Sequence, residues 1–197
     1  MDGRPANSDT GKSGVIVVVV GPSGAGKDTL MAEAARHFAD RDDVVFARRT
    51  ITRDPASGGE DHDGVSEDEF AALEKAGRFA VSWNAHGLSY GIPRDTLDAV
   101  EDGRLVIANG SRSALAHFHS AYPAMLVINV IASRDVLAAR LEARGRECRE
   151  DILRRLERGS LAVDGDYSVV TIDNSGSLSE AAQTLIDTLE RRLFRRV

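Results

Sequence analysis

Six consecutive β-branched apolar residues, 15–20, lead directly into a glycine-rich loop, and a helical pattern begins where that loop ends. The order of strand, glycine-rich loop and helix is that of a phosphate-binding loop, or P-loop, and this context makes the match specific. Glycines let the backbone curl so that its N–H groups point at phosphate oxygens, and the helix adds the positive end of its dipole. We therefore predict a nucleoside triphosphate site formed by Gly21, Pro22, Ser23, Gly24, Ala25, Gly26, Lys27, Asp28 and Thr29.

Lys27 and the two residues after it carry the charges and ligands expected of such a loop. The ammonium of Lys27 can reach the β- and γ-phosphates as a point charge. The next residue is ordinarily Ser or Thr, whose hydroxyl binds Mg²⁺, but here Asp28 takes that place and Thr29 follows. Asp28 can bind the metal directly or through water, Thr29 can take over that role, or Asp28 only stabilises the helix N-terminus. The motif alone does not decide between these roles.

The composition limits the cellular setting and the class of partner. The chain has 197 residues, of which 42% are hydrophobic and 28% charged, as in one globular domain of ordinary size. Its longest apolar run is too short to cross a bilayer, and residues 1–13 lack the apolar core of a secretory signal. The net charge of −6 argues against general nucleic-acid binding, and the single cysteine, Cys148, forms no internal disulfide. We expect a cytoplasmic protein with a small-molecule substrate, no nucleic-acid or membrane partner, and a disordered tail over 1–13.

Strand-like and helix-like segments alternate along the chain, which predicts an α/β fold with a central parallel sheet flanked by helices. We expect one domain over residues 14–197. The block at about 48–93 is richer in turns than its flanks, which predicts an inserted subdomain. Within this block, Ser66 and Glu69 have the spacing of a capping box. The segment 83–93 predicts a loop or a bent hairpin. The predicted strands are 15–20, 44–47, 79–83, 105–108, 126–131 and 169–172, and the main predicted helices are 27–38, 94–102, 113–120, 134–144, 149–158 and 179–194.

Several short motifs follow the loop in the order and spacing of guanylate kinases. They are Thr50-Ile51-Thr52-Arg53-Asp54-Pro55, Gly59-Glu60, Val65–Phe70, Gly77-Arg78-Phe79, His86–Pro93 and, later in the chain, Arg140–Arg146. The chain resembles that family from about residue 14 to residue 190. The resemblance implies a P-loop kinase fold in which the inserted block binds the phosphoryl acceptor and a lid at about 140–150 closes over the transferring phosphate. It also implies ATP as co-substrate, together with Mg²⁺.

The chain departs from the guanylate kinase pattern at positions that bear on the acceptor. Ala56 stands where the family usually has a second arginine, residues 61–64 replace an Asp-Tyr stretch, and Asn109-Gly110-Ser111-Arg112 replaces acidic residues that help hold guanine. A pocket that loses such polar partners loses its specificity, so we do not expect GMP as the acceptor. These departures and Asp28 resemble one branch of the family, the ribose 1,5-bisphosphate phosphokinases of phosphonate breakdown. The resemblance implies ATP-dependent phosphorylation of ribose 1,5-bisphosphate to 5-phosphoribosyl 1-diphosphate.

The resemblance also assigns catalytic roles. Lys27 matches the P-loop lysine, and Arg140, Arg144 and Arg146 match lid arginines that stabilise the transferring phosphoryl group. A phosphate acceptor is already ionised at pH 7, so positioning and charge neutralisation suffice and no general base is needed.

Substrate binding is expected to involve a second group of residues, which the resemblance implies only in part. Arg53 and Tyr90 match ligands of the acceptor phosphate, and Asn109 lies in the run that replaces the guanine-binding acids. A sugar bisphosphate also carries a phosphate away from the reacting one, which requires further cations. The candidates for that phosphate, in decreasing order, are Arg112, Arg48, Arg49 and His86.

Two other functions remain open at this point, a guanylate-type nucleoside monophosphate kinase and a non-catalytic guanylate-kinase-like module that binds proteins. Asn109–Arg112 argues against the first, and the intact P-loop with its lid arginines argues against the second. Some residues also have plainer interpretations. Arg140 and Arg144 have the spacing of a solvated helix face, Glu60 falls in a segment that favours a solvated loop, and Trp83 is more typical of a core.

Overall fold

The computed structural model describes residues 14–54, 60–143, 163 and 165–194. Its strands are β1 (Val15–Val20), β2 (Val44–Phe46), β3 (Arg49–Ile51), β4 (His62–Gly64), β5 (Phe79–Ala85), β6 (Leu88–Pro93), β7 (Leu105–Asn109), β8 (Met125–Ile131) and β9 (Ser168–Asp173). Its α-helices are α1 (Lys27–His37), α2 (Glu67–Lys75), α3 (Asp95–Glu101), α4 (Leu115–Ala121), α5 (Arg134–Ala143) and α6 (Leu178–Phe194). The predicted tail 1–13, the predicted helix 149–158 and most of the predicted lid lie outside the described residues.

Five strands form a parallel sheet in the order β2-β7-β1-β8-β9. β1 lies at its centre, between β7 and β8, and all of its residues are buried. A strand that is covered on both faces needs apolar side chains at successive positions, which explains the uninterrupted run 15–20. This is the central parallel sheet that the sequence predicts.

Alternate side chains of β1 enter two separate cores, one on each face of the sheet. The residues at 15, 17 and 19 pack with α1 and α6, through side chains such as Leu30 and Leu185. The residues at 16, 18 and 20 pack on the opposite face with α4 and the second sheet, through Phe118 and Trp83. Trp83 is therefore a core residue, as its sequence context indicates, and helices cover both faces as predicted.

Residues of the predicted insertion form a second sheet, in the order β4-β3-β6-β5. β5 and β6 are antiparallel, and a two-residue turn joins them at His86-Gly87, where φ is 54° and 74°. Two positive φ values define a type I′ turn, whose twist matches that of a hairpin. The segment 83–93 is thus a hairpin, one of its two predicted alternatives, and β5 ends at Ala85 rather than at Trp83.

The capping box that the sequence predicts begins α2. Ser66 Oγ accepts a hydrogen bond of 3.2 Å from the Glu69 backbone N–H, and the Glu69 carboxylate accepts one of 2.8 Å from the Ser66 backbone N–H. The two bonds satisfy donors that the first turn of a helix leaves free. Helix α2 then covers the second sheet, where Phe70 stacks on Phe79 at a ring distance of 4.7 Å.

Candidate active site

The candidate site lies at the carboxyl ends of the parallel strands. The P-loop follows β1, Asn109 ends β7, Asn129 lies in β8 opposite Val20, and Asn174 follows β9. Parallel strands bring their carboxyl ends to the same edge of a sheet, where open α/β folds bind their ligands. The topology therefore gathers polar residues from four strands around one loop.

The P-loop has the backbone conformation of an anion-binding loop. Gly24 and Gly26 have φ values of 86° and 89°, in the left-handed region that other residues rarely adopt. Gly26 occupies the N-cap of α1, and within the described residues no side chain caps that helix end. The first N–H groups of α1 and the positive end of its dipole are thus available to a phosphate.

Lys27 lies within the loop. Its Nζ donates hydrogen bonds to the backbone oxygens of Gly21 at 2.9 Å and Pro22 at 3.2 Å. Burial lowers the pKa of Lys27; of its charged neighbours, Asp28 and Glu60 oppose that shift, while Arg49 and Arg112 add to it. An anionic ligand would stabilise this ammonium, because it would compensate the hydration that the ammonium loses on burial.

A second set of contacts holds the P-loop from the side of β9 and α5. The side-chain amide of buried Asn174 donates to the Ala25 carbonyl at 2.7 Å. Arg140 donates to the Asn174 carbonyl at 2.9 Å and to the carbonyls of Gly24 and Ala25 at 3.4 Å each. Arg140 is therefore not part of a solvated helix face. Its predicted catalytic role stays a prediction, and in this structure its guanidinium contacts the loop backbone.

Asn109 joins two carboxylates beside Lys27. Its Nδ2 donates to Asp28 Oδ1 at 2.8 Å and to Glu60 Oε2 at 3.0 Å. Only the amide nitrogen can face two carboxylates, so these contacts fix the orientation of the amide. Asn109 is 4% exposed, and its Oδ1 is buried with no hydrogen-bond partner among the described residues. That oxygen is an acceptor or a metal ligand that the protein leaves unused.

Glu60 belongs to the interior of the site, and the expectation of a solvated loop at this residue is wrong. Its side chain is 15% exposed, and both of its oxygens accept hydrogen bonds from Arg49. The Arg49 guanidinium lies 5.0 Å from the ring centre of Tyr90, which stacks on Trp83. A buried carboxylate is retained only where cations and hydrogen bonds compensate its lost hydration, and Arg49 and Asn109 do so here.

Arg53 lies beside a buried histidine, His62, whose role no sequence motif indicates. His62 is 1% exposed, and its Nδ1 lies 3.4 Å from Arg53 Nη2. Arg53 Nε is buried and has no hydrogen-bond partner within the described ranges. A half-buried guanidinium that keeps an unused donor is suited to an anionic ligand, as the predicted acceptor-phosphate role requires.

Arg112 is half-buried at the start of the 3₁₀ turn that follows β7. Its Nη2 donates to Asn129 Oδ1 at 3.0 Å, its Nε has no partner among the described residues, and burial lowers the pKa of its guanidinium. In the part of the chain that the structure describes, no carboxylate forms an ion pair with it. Its charge is therefore left for a ligand.

The remaining predicted residues are less closely connected to this set. Arg48 pairs with Asp61 at 3.1 Å and Asp63 at 2.8 Å, so its charge is already compensated. His86 is exposed at the tip of the hairpin, and Thr29 is exposed on α1. Their predicted binding roles stay predictions. Arg144, Arg146 and Ala56 lie outside the described residues.

Two properties of the described part of the chain limit other interpretations. No three His, Cys, Asp or Glu side chains there converge on a common metal position. None of the described helices combines the length and apolarity that a membrane span requires.

A P-loop at the centre of a parallel sheet, facing arginines from an inserted subdomain, defines a P-loop phosphotransferase. The sequence profile of guanylate kinase matches residues 13–192. The chain belongs to the guanylate kinase family.

Curated relatives and a solved structure agree with this assignment. "Ribose 1,5-bisphosphate phosphokinase PhnN" of Rhizobium etli (strain CIAT 652) is 61% identical over 90% of this chain and 90% of the relative. The protein of the same name from Agrobacterium fabrum (strain C58) is 57% identical over 89% of this chain and 96% of the relative. The crystal structure of guanylate kinase from Anaplasma phagocytophilum matches this chain with a TM-score of 0.64 at 20% sequence identity. The match covers 91% of this chain and 86% of the guanylate kinase chain, and it shows that the two share a fold.

Proposed function

We propose that this chain transfers the γ-phosphoryl group of ATP to the 1-phosphate of ribose 1,5-bisphosphate, which gives 5-phosphoribosyl 1-diphosphate and ADP. The names of the relatives at 61% and 57% identity support this acceptor. The observation in the structure that carries the proposal is the pair of guanidinium groups at Arg53 and Arg112. Each keeps a buried Nε with no partner among the described residues. A sugar bisphosphate supplies one anionic group for each of them.

The reaction follows from position and charge. An oxygen of the 1-phosphate attacks the γ-phosphorus, and the bond from that phosphorus to the β-phosphate oxygen of ATP breaks as ADP leaves. The attacking oxygen is ionised at neutral pH, so no proton has to be removed from it. Lys27 neutralises charge on the β- and γ-phosphates, and Arg53 holds the acceptor phosphate in line. Such a reaction depends on the cations that surround the P-loop. It does not require a nucleophilic side chain.

The residues around Lys27 also suit Mg²⁺. This metal prefers oxygen ligands and keeps several of its waters, and the Asp28 carboxylate and the unused Asn109 Oδ1 are such ligands. Held there, Mg²⁺ would neutralise the negative charge that develops on the transferring phosphates. We propose that Asp28 holds the metal directly or through water, with Thr29 as the alternative ligand. Because the reaction consumes ATP, we also propose that it takes place in the cytoplasm.

A parallel assay with two acceptors tests the proposed function. ADP release is coupled to NADH oxidation, with either ribose 1,5-bisphosphate or GMP as acceptor and with ATP alone as background. We expect release with the sugar bisphosphate only, together with a new diphosphate signal in the ³¹P NMR spectrum. A higher kcat/KM for GMP would instead assign a guanylate kinase. A protein that binds neither ATP nor either acceptor would be a non-catalytic module.

A further inference from the structure

His62 is the most deeply buried of the described histidines, and both of its ring nitrogens face backbone oxygens. Its Nδ1 lies 2.9 Å from the Glu60 carbonyl oxygen, and its Nε2 lies 3.2 Å from the Arg53 carbonyl oxygen. The imidazole thus lies between two backbone positions that are seven residues apart in the chain. Each of these positions carries a side chain of the candidate site.

A carbonyl oxygen only accepts hydrogen bonds, so each short contact requires an N–H on the ring. A neutral imidazole has one N–H and can satisfy one of the two carbonyls, whereas a protonated imidazole satisfies both. The charged groups around the ring are Arg53, whose Nη2 is 3.4 Å from Nδ1, and Arg48, which donates to the His62 carbonyl at 3.2 Å and pairs with Asp61 and Asp63. In every protonation state the imidazole binds at least one of the two backbone segments.

These contacts determine where two functional side chains lie. Arg53 has a buried, unpartnered Nε, while Glu60 binds Arg49 and Asn109. If the backbone at either residue shifted, the Arg53 guanidinium would leave its place and the Glu60 carboxylate would lose its compensating partners. A displacement of about 1 Å is enough to impair phosphoryl transfer.

We propose that His62 is a positioning residue for the acceptor side of the site. It holds the backbone of Arg53 and Glu60 so that the Arg53 guanidinium faces the acceptor phosphate. His62 does not itself touch substrate, because it is 1% exposed and its ring nitrogens face the protein backbone. This assignment rests on the proposed function, since it concerns the acceptor of that reaction.

Three substitutions separate the two contacts. His62→Leu removes both hydrogen bonds, His62→Asn can place its amide near the position of Nδ1, and His62→Gln can place its amide near the position of Nε2. We expect His62→Leu to raise the KM for ribose 1,5-bisphosphate about tenfold or more, with the KM for ATP unchanged within about twofold. The Asn and Gln variants should recover part of the lost affinity. His119→Leu, at an exposed position on α4, is the matched control and should behave as wild type.

Direct binding makes the outcomes distinct. Circular dichroism first establishes which variants fold, and titration calorimetry then measures the affinity for the bisphosphate. If His62→Leu does not fold, the Asn and Gln variants carry the test. Folded variants that bind the bisphosphate as wild type does, or that lose ATP affinity instead, would overturn the positioning role and leave the proposed function standing. A wild-type protein that neither binds nor phosphorylates the bisphosphate would overturn both.

Discussion

The side-chain amide of Asn174 donates a 2.7 Å hydrogen bond to the backbone carbonyl of Ala25, inside the P-loop. Asn174 is 1% exposed and follows the last strand of the parallel sheet, so it connects the edge of that sheet to the loop. A Cβ at Gly26 would overlap the Asn174 amide nitrogen, which excludes larger residues at that position. Together with Arg140, this contact supports the loop on one side, and within the loop the Ala25 N–H donates to the Pro22 carbonyl at 3.2 Å.

Asn174→Ala should weaken both the fold and nucleotide binding. The substitution removes the shorter of two hydrogen bonds to the Ala25 carbonyl and leaves the 3.4 Å contact from Arg140, which costs about 1 kcal/mol of unfolding free energy. The loop then loses its support, so the KM for ATP should rise while the KM for the acceptor stays near the wild-type value. Urea denaturation and the ADP-release assay measure the two effects. Gln183→Ala, at an exposed amide on α6, should change neither.

Lys27→Ala should abolish phosphoryl transfer and leave the fold intact. The ammonium is bound to the carbonyls of Gly21 and Pro22 and lies where the β- and γ-phosphates of ATP are expected. Circular dichroism reports the fold, and single-turnover ADP release reports the chemistry. A folded variant that keeps wild-type turnover would show that Lys27 has no part in catalysis.

Asp28→Asn should raise the Mg²⁺ concentration needed for half-maximal activity. Asparagine at this position can still accept the hydrogen bond from Asn109, so the change removes the charge and keeps the contact. Asp28→Ser restores the hydroxyl that the motif ordinarily carries and should preserve part of the activity. Thr29→Ala tests the alternative ligand. A Mg²⁺ titration that is identical for Asp28→Asn and wild type would reduce Asp28 to a helix-terminus residue.

Ionisation of Tyr122 should lower the free energy of unfolding at alkaline pH. Burial raises its pKa from 10.0 to about 12, and its hydroxyl lies 2.7 Å from Thr96 Oγ1. Because the folded-state pKa is the higher one, the stability that Tyr122 contributes is complete below pH 10 and is lost as the pH rises towards 12. The loss amounts to about 2 kcal/mol. Urea denaturation gives the free energy of unfolding at pH 9 and at pH 11.5. This free energy should decrease less between the two pH values for Tyr122→Phe than for wild type or for Tyr167→Phe.

The parts of the site that the sequence predicts are those that local chemistry determines. The run 15–20, the glycines of the P-loop and the Ser66–Glu69 capping box each require their conformation within a few residues, and the structure contains all three. Arg112 follows a core strand, so the parallel topology alone brings it to the ligand edge of the sheet. The structure of such segments can be predicted from the local sequence, without knowledge of which distant residues are in contact.

The residues that sequence reasoning missed depend on contacts between distant segments. Glu60 resembles a solvated acid in a turn-rich stretch, yet its carboxylate meets Arg49 and Asn109, the latter 49 positions away. Asn174 contacts Ala25 across 149 positions. His62 carries no local motif, and its role depends on the backbone at Arg53 and Glu60. Gly59-Glu60 does belong to a motif shared with guanylate kinases, but the motif does not identify Arg49 and Asn109 as the partners of the carboxylate.

Arg112→Ala should weaken binding of the acceptor and leave nucleotide binding unchanged. Arg112 begins the 3₁₀ turn that follows β7 and is half-buried, and its Nη2 donates to Asn129 Oδ1. With no carboxylate to compensate it among the described residues, we expect an anionic ligand to stabilise this half-buried charge. Its removal should cost about 2–5 kcal/mol of acceptor binding, which raises the acceptor KM by about thirtyfold or more.

Arg36→Ala, at an exposed position on α1, is the matched control for the loss of one positive charge. It should change neither constant, because its guanidinium pairs with Glu33 at the surface, and exposed pairs contribute little. The ADP-release assay gives the KM for ATP and the KM for ribose 1,5-bisphosphate for each variant. A rise in the ATP constant alone for Arg112→Ala would assign Arg112 to the donor side. The second phosphate of the acceptor would then require one of the remaining candidates, of which Arg48 and Arg49 are paired with carboxylates and His86 is exposed.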